Sequence, residues 1–289
     1  MSLSIIIVNY NTEELLINCI SSIYANISID NFEIIVVDNG STDNSLSSLK
    51  ERFPNVICVC NQKNRGFGAA NNQGVAISKY DYLFFLNSDT IIEHDIFSEL
   101  LFFMQKHQSC AGVTPKIYYE DKKPQNTYGN FPTILFFILN SLGILKILPK
   151  KVRNKLSIGI PVEFSCPQRV PHILGVAMFI RKKAFIEVGG FDESFFLYFE
   201  ETDLCYRMTG LGYDFWVDTN VDIIHLLSKS SPSSLFKIEH MLRSRILYFK
   251  YRNVHQYKLI ILKFISILKL LLLTIKYQDI RYLKLIRNI

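Results

Sequence analysis

Asn87 and Asp89 come directly after an apolar run, residues 82–86, and bring an amide and a carboxylate to its end. A hard divalent cation such as Mg²⁺ or Mn²⁺ prefers oxygen ligands, and it usually binds through one or two carboxylates together with substrate phosphates. Asp89 is therefore a candidate metal ligand, with Asn87 beside it. The alternative is that Asp89 only caps a helix that begins near Ile91. This motif alone does not decide between the two.

Three carboxylates occur within four residues farther along the chain, at Glu200, Glu201 and Asp203, directly after the aromatic stretch 191–199. Carboxylates crowded together beside apolar rings hold their protons more tightly, which raises their pKa toward the range of a general base. The alternative is a solvated helix start, because acidic residues favour helix N-termini. That alternative suits Glu200 or Asp203 individually.

Two more candidate side chains lie at the ends of apolar runs. His225 ends the run "VDIIH" and could be a metal ligand, although a histidine in this setting more often belongs to the core or the surface. Asp38 precedes Asn39-Gly40, a pair that favours hairpin turns. Because a helical pattern follows instead of an antiparallel strand, we expect Asp38 to face a ligand. The alternative is that Asp38 ends the strand and Ser41 caps the helix.

The loop "NRGFGAANNQG", residues 64–74, carries Gly66 and Gly68, with Asn71 where a dinucleotide-binding fingerprint has its third glycine. The dinucleotide-binding fingerprint follows the first strand of its fold, whereas this loop follows the third. No acidic residue is obviously placed to bind a ribose, so the loop is a weak signal for dinucleotide binding. Arg65 could contact a phosphate or a base. The alternative is a tight turn followed by helix packing through small residues.

These groups act together only if the fold brings them together. Four apolar runs, "SIIIVNY", "FEIIVVDN", "VICVCN" and "DYLFFLN", predict strands, and the segments between them have helical spacing, with Thr12 as the expected cap of the first helix. Strands that are apolar on both faces and separated by helices predict a mostly parallel sheet between two helical layers. Ligands bind at the carboxyl ends of the strands in such α/β folds. We therefore expect Asn9, Asp38 and Asp89 at one edge of the sheet.

The composition is typical of a folded cytoplasmic protein. Hydrophobic residues make up 49% of the 289 residues, which is enough for a large core and excludes a disordered chain. The six cysteines show no CxxC spacing and no companion histidines, a pattern of reduced thiols rather than of disulfides or a zinc site. No basic leader or cleavage site follows Met1, so we expect no signal peptide.

Positive charge is concentrated in residues 236–289, which we call the tail. From Lys237 onward there are 12 Lys and Arg residues against two acidic ones, whereas the whole chain has a net charge of +6. A membrane-spanning helix over "LIILKFISILKLLLLTIK" would hold Lys263 and Lys269 inside the bilayer, at about 2.5–3.5 kcal/mol each near its centre. An interfacial helix avoids this cost because its lysines reach lipid phosphates. We expect the tail to lie on an anionic membrane surface and, being so apolar, not to bind nucleic acid.

Six motifs together resemble the family 2 glycosyltransferases, specifically the bacterial rhamnosyltransferase-like branch with the GT-A fold. In the family's order they are "SIIIVNYN", "VVDNGSTD", "NRGFGAANNQG", "FLNSDT", "LGVAMFIRKKAFIEVGGFDESFFLYFEETDLCYR" and "HLLSKSS", within residues 4–232. The middle segment and the tail carry only a general likeness. The resemblance implies an α/β catalytic domain of GT-A fold over residues 1–235, followed by a helical, membrane-associating segment over residues 236–289.

The resemblance implies how the two substrates are bound. Asp38 would bind the base of a nucleotide-sugar donor, while Asn9 and the loop from Arg65 to Asn71, with Gly66, would line the nucleotide pocket. The acceptor would be a lipid-linked saccharide at the inner face of the cell membrane. The apolar segment 131–149 is expected to help dock that acceptor.

The resemblance also implies a divalent cation, Mg²⁺ or Mn²⁺. Asp89 matches the last aspartate of the family's Asp-x-Asp-type metal motif, and His225 matches a histidine that approaches the metal or the diphosphate. Asn87 and Ser88 replace the commoner first aspartate and this branch's middle proline. Asn87 is therefore expected to contact the ribose or a metal-bound water, which leaves Asp89 as the main carboxylate ligand.

Glu201 matches the carboxylate that serves as the base in the family's Glu-Asp motif. It is one methylene longer than the family's aspartate, so Glu200 and Asp203 remain alternatives. The implied reaction is inverting transfer of a sugar, with rhamnose as the first choice, from a nucleoside diphosphate to the acceptor in cell-surface polysaccharide synthesis. The alternatives are another hexosyl donor, such as UDP-galactose or UDP-glucose, and a catalytically silent membrane-bound scaffold.

Overall fold

The structure, a computed structural model, describes residues 2–226 and 234–288. Its strands are β1 (Ser2–Asn9), β2 (Asn31–Asp38), β3 (Ile57–Cys60), β4 (Tyr82–Asn87), β5 (Thr90–Ile91), β6 (Cys110–Tyr118), β7 (Asn126–Gly129), β8 (Ile160–Pro161), β9 (Gln168–Val170), β10 (His172–Ile173), β11 (Ala177–Arg181) and β12 (Asp214–His225). Its α-helices are α1 (Glu13–Asn26), α2 (Ser45–Arg52), α3 (Phe67–Ile77), α4 (Phe97–Lys106), α5 (Ile134–Ser141), α6 (Lys150–Leu156), α7 (Lys182–Glu187), α8 (Glu200–Gly210), α9 (Ser234–Tyr251), α10 (Gln256–Tyr277) and α11 (Arg281–Lys284). Short 3₁₀ helices occupy Ile144–Lys146 and Leu285–Asn288.

A central sheet carries the strands in the order β3-β2-β1-β4-β11-β6-β12-β5, with β9 paired to β12. β1 runs parallel to β2 and β4, and β2 runs parallel to β3. β11 lies antiparallel between β4 and β6, whereas β12 is parallel to β6. The predicted α/β fold with a mostly parallel central sheet is confirmed. A smaller sheet has the order β10-β7-β8.

The register of the parallel strands brings the predicted polar side chains to one edge. Asn9 pairs with Asp38, and Val8 pairs with Asn87, so β1, β2 and β4 end at the same level. In each of these strands the last four residues before that level are apolar, and the residue at that level is polar. The amide and the carboxylate after β4 are therefore delivered to an edge that β1 and β2 also reach.

Both faces of the central sheet are buried. In β1, Ile5 and Ile7 share a hydrophobic cluster with Ile20 of α1, whereas Ile6 belongs to a second cluster with Ala70 of α3. All five side chains are fully buried, and burial of a large aliphatic side chain contributes about 1.5–3 kcal/mol. Alternate side chains of one strand thus enter two separate cores, which is why the strand sequences are apolar at consecutive positions.

The segment directly after Asp89 is a strand, not the helix that one interpretation of the sequence predicted. Thr90–Ile91 form β5, which pairs antiparallel with β12 at His225, and the next helix, α4, begins at Phe97. Asp95 satisfies the start of that helix, since its carboxylate accepts the N–H of Phe97 at 3.0 Å. The interpretation of Asp89 as the cap of a helix near Ile91 is therefore wrong, because the edge of β12 offers backbone partners to the two residues after Asp89.

Thr12 precedes α1 as expected, but its side chain does not cap the helix. The Thr12 hydroxyl donates to Oδ1 of Asn9 at 2.6 Å and lies 3.0 Å from the hydroxyl of Ser88. The expectation of a cap is wrong because the polar side chains at the sheet edge bind this hydroxyl instead. Thr12 thereby links the ends of β1 and β4.

The tail packs on the rest of the protein. Tyr248 and Phe249 of α9 and Leu262 of α10 share a hydrophobic cluster with Phe195 and Phe199, in the stretch before α8. The predicted boundary after residue 235 thus separates parts that pack against each other, and the division into two domains stays a prediction. Residues 227–233, which include most of the motif "HLLSKSS", lie outside the described residues. Within the described ranges, no helix is both long enough and apolar enough to cross a membrane.

Candidate active site

A cavity of about 340 Å³ lies at the carboxyl end of the central sheet, within the usual size range of small-molecule pockets. Of the site residues predicted from the sequence, Gly66, Asn87, Asp89 and His225 line it. The rest of its wall consists of Val8, Tyr10, Thr12, Asn39, Asn64, Phe67, Ser88, Phe196, Leu197, Tyr198, Phe236 and Lys237. Polar groups from the strand ends therefore face aromatic rings from the stretch before α8 and from α9.

Asn9 and Asp38 form a buried polar pair at the ends of β1 and β2. The amide of Asn9 donates to Oδ1 of Asp38 at 2.7 Å and to the hydroxyl of Ser41 at 3.0 Å. Oδ2 of Asp38 accepts the N–H groups of Gly40 and Ser41, at 3.2 and 2.9 Å. Asp38 is only 1% exposed, and its two oxygens are occupied by its own loop and by Asn9 of β1. Base binding by Asp38 stays a prediction, while Asn39 is the residue of this loop that lines the cavity.

Asn39 fastens a second loop to the cavity. Its Nδ2 donates to the carbonyl of Gly66 at 3.1 Å, and its Oδ1 accepts the N–H of Arg65 at 3.2 Å. Gly66 has a φ of 90°, and a Cβ added there would lie 2.5 Å from the carbonyl oxygen of Phe196, so only glycine fits. Phe67 donates its N–H to the same Phe196 oxygen at 3.1 Å. This bond joins the loop to the aromatic stretch before α8.

Two other residues predicted to line the nucleotide pocket do not line this cavity. The guanidinium of Arg65 lies 3.5 Å from the carboxylate of Glu193, and both side chains are exposed. Asn71 is buried in α3, where its amide donates to the carbonyl of Phe67 at 3.0 Å. Nucleotide contacts of Arg65 and Asn71 therefore stay predictions.

Asp89 and His225 meet at the cavity wall because β5 pairs with the end of β12. Oδ1 of Asp89 lies 3.1 Å from Nε2 of His225, and Nδ1 of His225 lies 2.9 Å from Oε1 of Gln125. The Gln125 amide is oriented by its own Nε2, which donates to the carbonyl of His225 at 2.6 Å. Its oxygen therefore faces Nδ1, and Nδ1 carries a proton. A cation bound between the two side chains would be held by the Nε2 lone pair of His225 and by the Asp89 carboxylate.

This donor set fits a divalent cation that is shared with a phosphate ligand. Within residues 2–226 and 234–288, no group of three or more His, Cys, Asp or Glu side chains could hold a metal ion by itself. A magnesium-type site commonly uses one or two protein carboxylates and takes further ligands from substrate phosphates and water. The Asp89 carboxylate and the Nε2 lone pair of His225 match the protein half of such a site.

Glu200 and Glu201 are the first residues of α8, and Phe199 separates them from Tyr198, which lines the cavity. Neither glutamate lines the cavity itself. Tyr198 and Phe199 have φ values of 68° and 71°, a left-handed conformation that aromatic residues rarely adopt. Such backbone is concentrated at functional sites, where the surrounding structure enforces it. A Cβ added at Gly175 would lie 3.7 Å from Cβ and Cγ of Glu201, so this side of Glu201 faces a residue without a side chain.

Glu200 and Glu201 are a carboxylate pair with raised pKa. Burial raises the pKa of Glu200 well above its ordinary value of 4.5, and the charge of Glu201 adds to this. Glu200 is buried, and its Oε2 has no hydrogen-bond partner among the described residues. Burial also raises the pKa of Glu201, although nearby backbone N–H groups favour its charged form. The pKa of Glu200, the more deeply buried of the two, is raised further than that of Glu201, so Glu201 is expected to ionise first.

Asp203 belongs to a network of ion pairs. Its Oδ2 lies 2.6 Å from Nε of Arg207, and its Oδ1 lies 3.2 Å from a guanidinium nitrogen of Arg252. The Arg252 guanidinium also stacks on the rings of Tyr248 and Tyr206, at 3.4 and 4.1 Å from their centroids. With both oxygens bound to arginines, Asp203 ties α8 to the residue that follows α9. Its alternative role as the base is not supported.

A sequence model described as "Glycosyl transferase family 2" matches residues 4–189 of the chain. The chain belongs to this family. The family predicted from the six motifs is thereby confirmed. The matched part of this glycosyltransferase includes Asn9, Asp38 and Asp89, but it ends before Glu201 and His225.

Relatives of this glycosyltransferase include a low-salt glycan biosynthesis hexosyltransferase of Haloferax volcanii, 30% identical over 77% of this chain and 66% of that protein. The N-acetylglucosaminyl-diphospho-decaprenol L-rhamnosyltransferase of Mycobacterium tuberculosis is 25% identical over 72% of this chain and 71% of its own length. The rhamnosyltransferase WbbL of Escherichia coli is 32% identical over 51% of this chain and 55% of its own length. The chain thus spans less than two thirds of the Haloferax and Escherichia proteins. The two rhamnosyltransferases confirm the predicted branch.

Among solved structures, that of GalNAc-T7 with UDP, GalNAc and Mn²⁺ resembles this glycosyltransferase with a TM-score of 0.61. The likeness covers 84% of this chain and 47% of the other, at 17% sequence identity. At this identity the likeness shows the fold alone. The predicted GT-A fold is confirmed.

Several residues that line the cavity of this glycosyltransferase or contact its lining residues were missed by sequence reasoning. Gln125 lies 100 positions before His225, in a segment without a motif, so no sequence signal points to it. Lys237 belongs to the tail, whose apolar run directs attention to a membrane. Asn39 could have been found, because it stands between Asp38 and Gly40 in one of the six motifs.

Proposed function

We propose that this protein transfers a sugar from a nucleoside diphosphate to a hydroxyl group of a lipid-linked saccharide, with inversion at the anomeric carbon, in cell-surface polysaccharide synthesis. The position of Glu201 carries the proposal. Its carboxyl group has a raised pKa. Glu201 lies in the first turn of α8, three positions after Tyr198, and Tyr198 lines the cavity together with Asp89 and His225. Membership of the glycosyltransferase family supports the class of reaction.

Glu201 is the general base in this proposal. It takes the proton of the acceptor hydroxyl while the hydroxyl oxygen attacks the anomeric carbon, and the bond to the diphosphate breaks on the opposite face. One displacement with one base inverts the configuration. Glu200 keeps its own proton, so no second negative charge develops beside the base. The raised pKa of Glu201 makes it a stronger proton acceptor than an ordinary glutamate.

A divalent cation, Mg²⁺ or Mn²⁺, would be held by Asp89, Nε2 of His225 and the donor's phosphate oxygens. When bound, it offsets the negative charge of the leaving diphosphate. The chain's own contribution is orientation: Gln125 fixes the imidazole of His225, and Asn87 presents its amide at the same wall. Support for metal use comes from GalNAc-T7, a protein of the same fold whose structure contains UDP and Mn²⁺.

Rhamnose, carried by dTDP, is the first donor sugar that we propose. Two relatives are named rhamnosyltransferases, and the name of the mycobacterial one contains N-acetylglucosaminyl-diphospho-decaprenol, a lipid-linked saccharide. The Haloferax hexosyltransferase favours the alternative of another hexosyl donor, such as UDP-glucose or UDP-galactose. Inversion at the anomeric carbon follows from the mechanism and is expected for either donor class.

We also propose that α10 binds the anionic inner face of the cell membrane, which would place the enzyme on the cytoplasmic side. The buried side of α10 consists of Leu262, Ser266 and Leu270. Its opposite side exposes large apolar residues that recur every three or four positions: Ile260, Phe264, Leu268, Leu271 and Ile275. Helical geometry places lysines along both edges of this face: Lys258, Lys269 and Lys276 on one and Lys263 on the other. An outward apolar face bordered by lysines suits the boundary between lipid headgroups and acyl chains.

Vesicle flotation tests the membrane proposal separately from catalysis. The protein should float with vesicles that contain phosphatidylglycerol and much less with pure phosphatidylcholine. Phe264→Glu together with Ile275→Glu should abolish flotation, whereas Phe102→Glu, at an exposed apolar residue of α4, should not. A wild-type protein that stays at the bottom of the gradient would defeat the membrane proposal and leave the transferase proposal standing.

A panel of nucleotide sugars, assayed with and without Mn²⁺, tests the transferase proposal. We expect thermal stabilisation and slow hydrolysis of one donor only when metal is present, and loss of both in Asp89→Ala. NMR of the product formed with a lipid-linked acceptor should show the inverted anomer, and retention would overturn the role of Glu201. Absence of any response to any donor would favour the alternative of a catalytically silent scaffold.

A further inference from the structure

Within the described part of the chain, Lys237 is the one lysine or arginine in the cavity wall. It belongs to the first turns of α9 and lines the same cavity as Asp89 and His225. Its neighbour Phe236 lines the cavity as well. The tail, which the sequence assigns to a membrane surface, therefore also forms part of the candidate active site.

The N-terminal half of α9 is anchored to the aromatic stretch before α8. The ring centroids of Phe236 and His240 lie 5.9 and 4.6 Å from that of Phe196. The hydroxyl of Ser244 donates to the carbonyl of Leu197 at 2.8 Å. Phe196 and Leu197 themselves line the cavity. Since Lys237 stands within this anchored segment, its backbone is held in place relative to the cavity.

The far end of α9 is anchored too. Arg252, just beyond the helix, forms the ion pair with Asp203 of α8, and both side chains are almost fully buried. The OH of Tyr251 lies 3.1 Å from the hydroxyl of Ser194. Helix α9 is thus bound at both ends to α8 and to the stretch that precedes it.

The positive charge of Lys237 can offset the negative charge of a bound nucleoside diphosphate. A nucleoside diphosphate brings several negative charges to a wall that already carries the Asp89 carboxylate, and a divalent cation shared with Asp89 offsets only part of them. A lysine ammonium is a compact point charge with three donors, and it binds phosphate oxygens without the fixed directions that a guanidinium needs. Such a group can follow the phosphate as it leaves.

We propose that Lys237 binds the diphosphate of the donor, so that the tail completes the donor site. This inference rests on the proposed transferase function. It gives the tail two separate roles: α9 supplies a cation to the active site, and α10 supplies the proposed membrane contact.

Calorimetric titration of the full chain tests this role. The probes are UDP and dTDP in the presence of Mn²⁺, with UMP and dTMP for comparison. Lys237→Met should weaken binding of the better diphosphate by about 10- to 100-fold, the effect of losing one charged hydrogen bond, and should weaken the monophosphate much less. Lys237→Arg should retain most of the affinity. Lys250→Met, at an exposed lysine of the same helix, is the matched control and should bind like the wild type.

The outcomes separate this inference from the proposed function. Wild-type affinity in Lys237→Met, or an equal loss for mono- and diphosphates, would overturn the role of Lys237 while the transferase proposal stands. A wild-type protein that binds neither UDP nor dTDP would overturn both. Lys237→Gln, checked by thermal melting beside Lys237→Met, ensures that a folding defect in one variant is not read as lost binding.

Discussion

Nε2 of His225 lies 3.1 Å from Oδ1 of Asp89, although Asp89 belongs to the fourth of the six motifs and His225 begins the sixth. The contact exists because β5, directly after Asp89, forms an antiparallel pair with the last residues of β12. The orientation of the imidazole depends on one further residue, Gln125, which binds both Nδ1 and the carbonyl of His225. Metal affinity should therefore depend on a side chain that does not touch the metal.

Gln125→Leu should weaken Mn²⁺ binding by about 10- to 100-fold, the usual effect of losing the partner that orients a ligating histidine. The leucine removes the acceptor for Nδ1–H and frees the ring to turn. Electron paramagnetic resonance of Mn²⁺, titrated in the presence of UDP or dTDP, measures the affinity directly. Gln108→Leu, at an exposed glutamine, is the control, and equal affinities in the two variants would contradict the role of Gln125.

Glu201→Gln should lower kcat by about 10²–10⁴-fold while donor binding stays close to that of the wild type, because only the base is lost. Glu200→Gln should remain active, since glutamine resembles the protonated Glu200 of the pair. Turnover and donor affinity of the two variants, measured side by side, decide the assignment. Loss of activity in Glu200→Gln with an active Glu201→Gln would exchange the two roles.

Activity should decline as the pH falls through the raised pKa of Glu201, because the base must be charged. The acidic limb of the kcat profile should therefore lie above the ordinary glutamate value of 4.5. The Glu200→Gln variant should keep this limb. A limb that vanishes in Glu200→Gln would show that Glu200 is the titrating base.

Glu200 should also make stability depend on pH. Its pKa is raised in the folded state, so the folded protein binds this proton more tightly than the unfolded chain, and stability is lost as the pH rises from about 4.5 toward the raised value. Glu200→Gln removes this loss and should melt at a higher temperature than the wild type at neutral pH. The difference should shrink as the pH approaches 4.5, whereas parallel curves of Tm against pH would contradict it.

Asp203→Asn and Arg252→Met should each destabilise the protein by about 3–5 kcal/mol, because each leaves a buried charge without one partner. The double variant should lose less than the sum of the two. Urea unfolding of the four proteins gives the coupling energy. Additive losses would mean that the two side chains do not interact in solution.

Gly66→Ala should destabilise the protein and weaken donor binding, because Cβ would clash with the carbonyl oxygen of Phe196 in addition to the strain of a φ of 90°. The control is Gly189→Ala, where φ is 78° but no atom lies within 4 Å of the added Cβ. That variant should lose only about 1–2 kcal/mol, the cost of left-handed backbone. Similar Tm values for the two variants would argue against the close approach at Gly66.

The sheet and its polar edge were predictable because they rest on local patterns. Runs such as Ile5-Ile6-Ile7 are apolar at every position, which only a strand buried on both faces requires, and parallel strands of that kind end at a common level. That reasoning placed Asn9, Asp38 and Asp89 at one edge. The pairing of Asn9 with Asp38 and of Val8 with Asn87, two positions before Asp89, agrees with it. The motif order then led to the family.

Contacts made by long-range pairing were not predictable. Asp89 does not cap a helix because residues 90–91 pair with the end of β12. Nothing in the local sequence shows that the edge of β12 is free to pair with these residues. The same holds for Asp203, whose acidic neighbours suggested a base, whereas its partner Arg252 lies beyond the next helix of the tail. Lys237 was missed for the same reason, because no local pattern shows that α9 returns to the cavity.

The anchoring of α9 has a consequence for work with this protein in solution. Truncation before residue 234 is the obvious way to obtain a more tractable sample, since it deletes the apolar face of α10. It would also delete Lys237, expose Phe195 and Phe199, and leave Asp203 with a single arginine. A soluble version is better obtained by replacing outward residues such as Phe264 and Ile275 and keeping the backbone whole. By the same reasoning, the tail is not an exchangeable anchor, and a chimera carrying a foreign membrane segment in its place should be impaired even when it reaches the membrane.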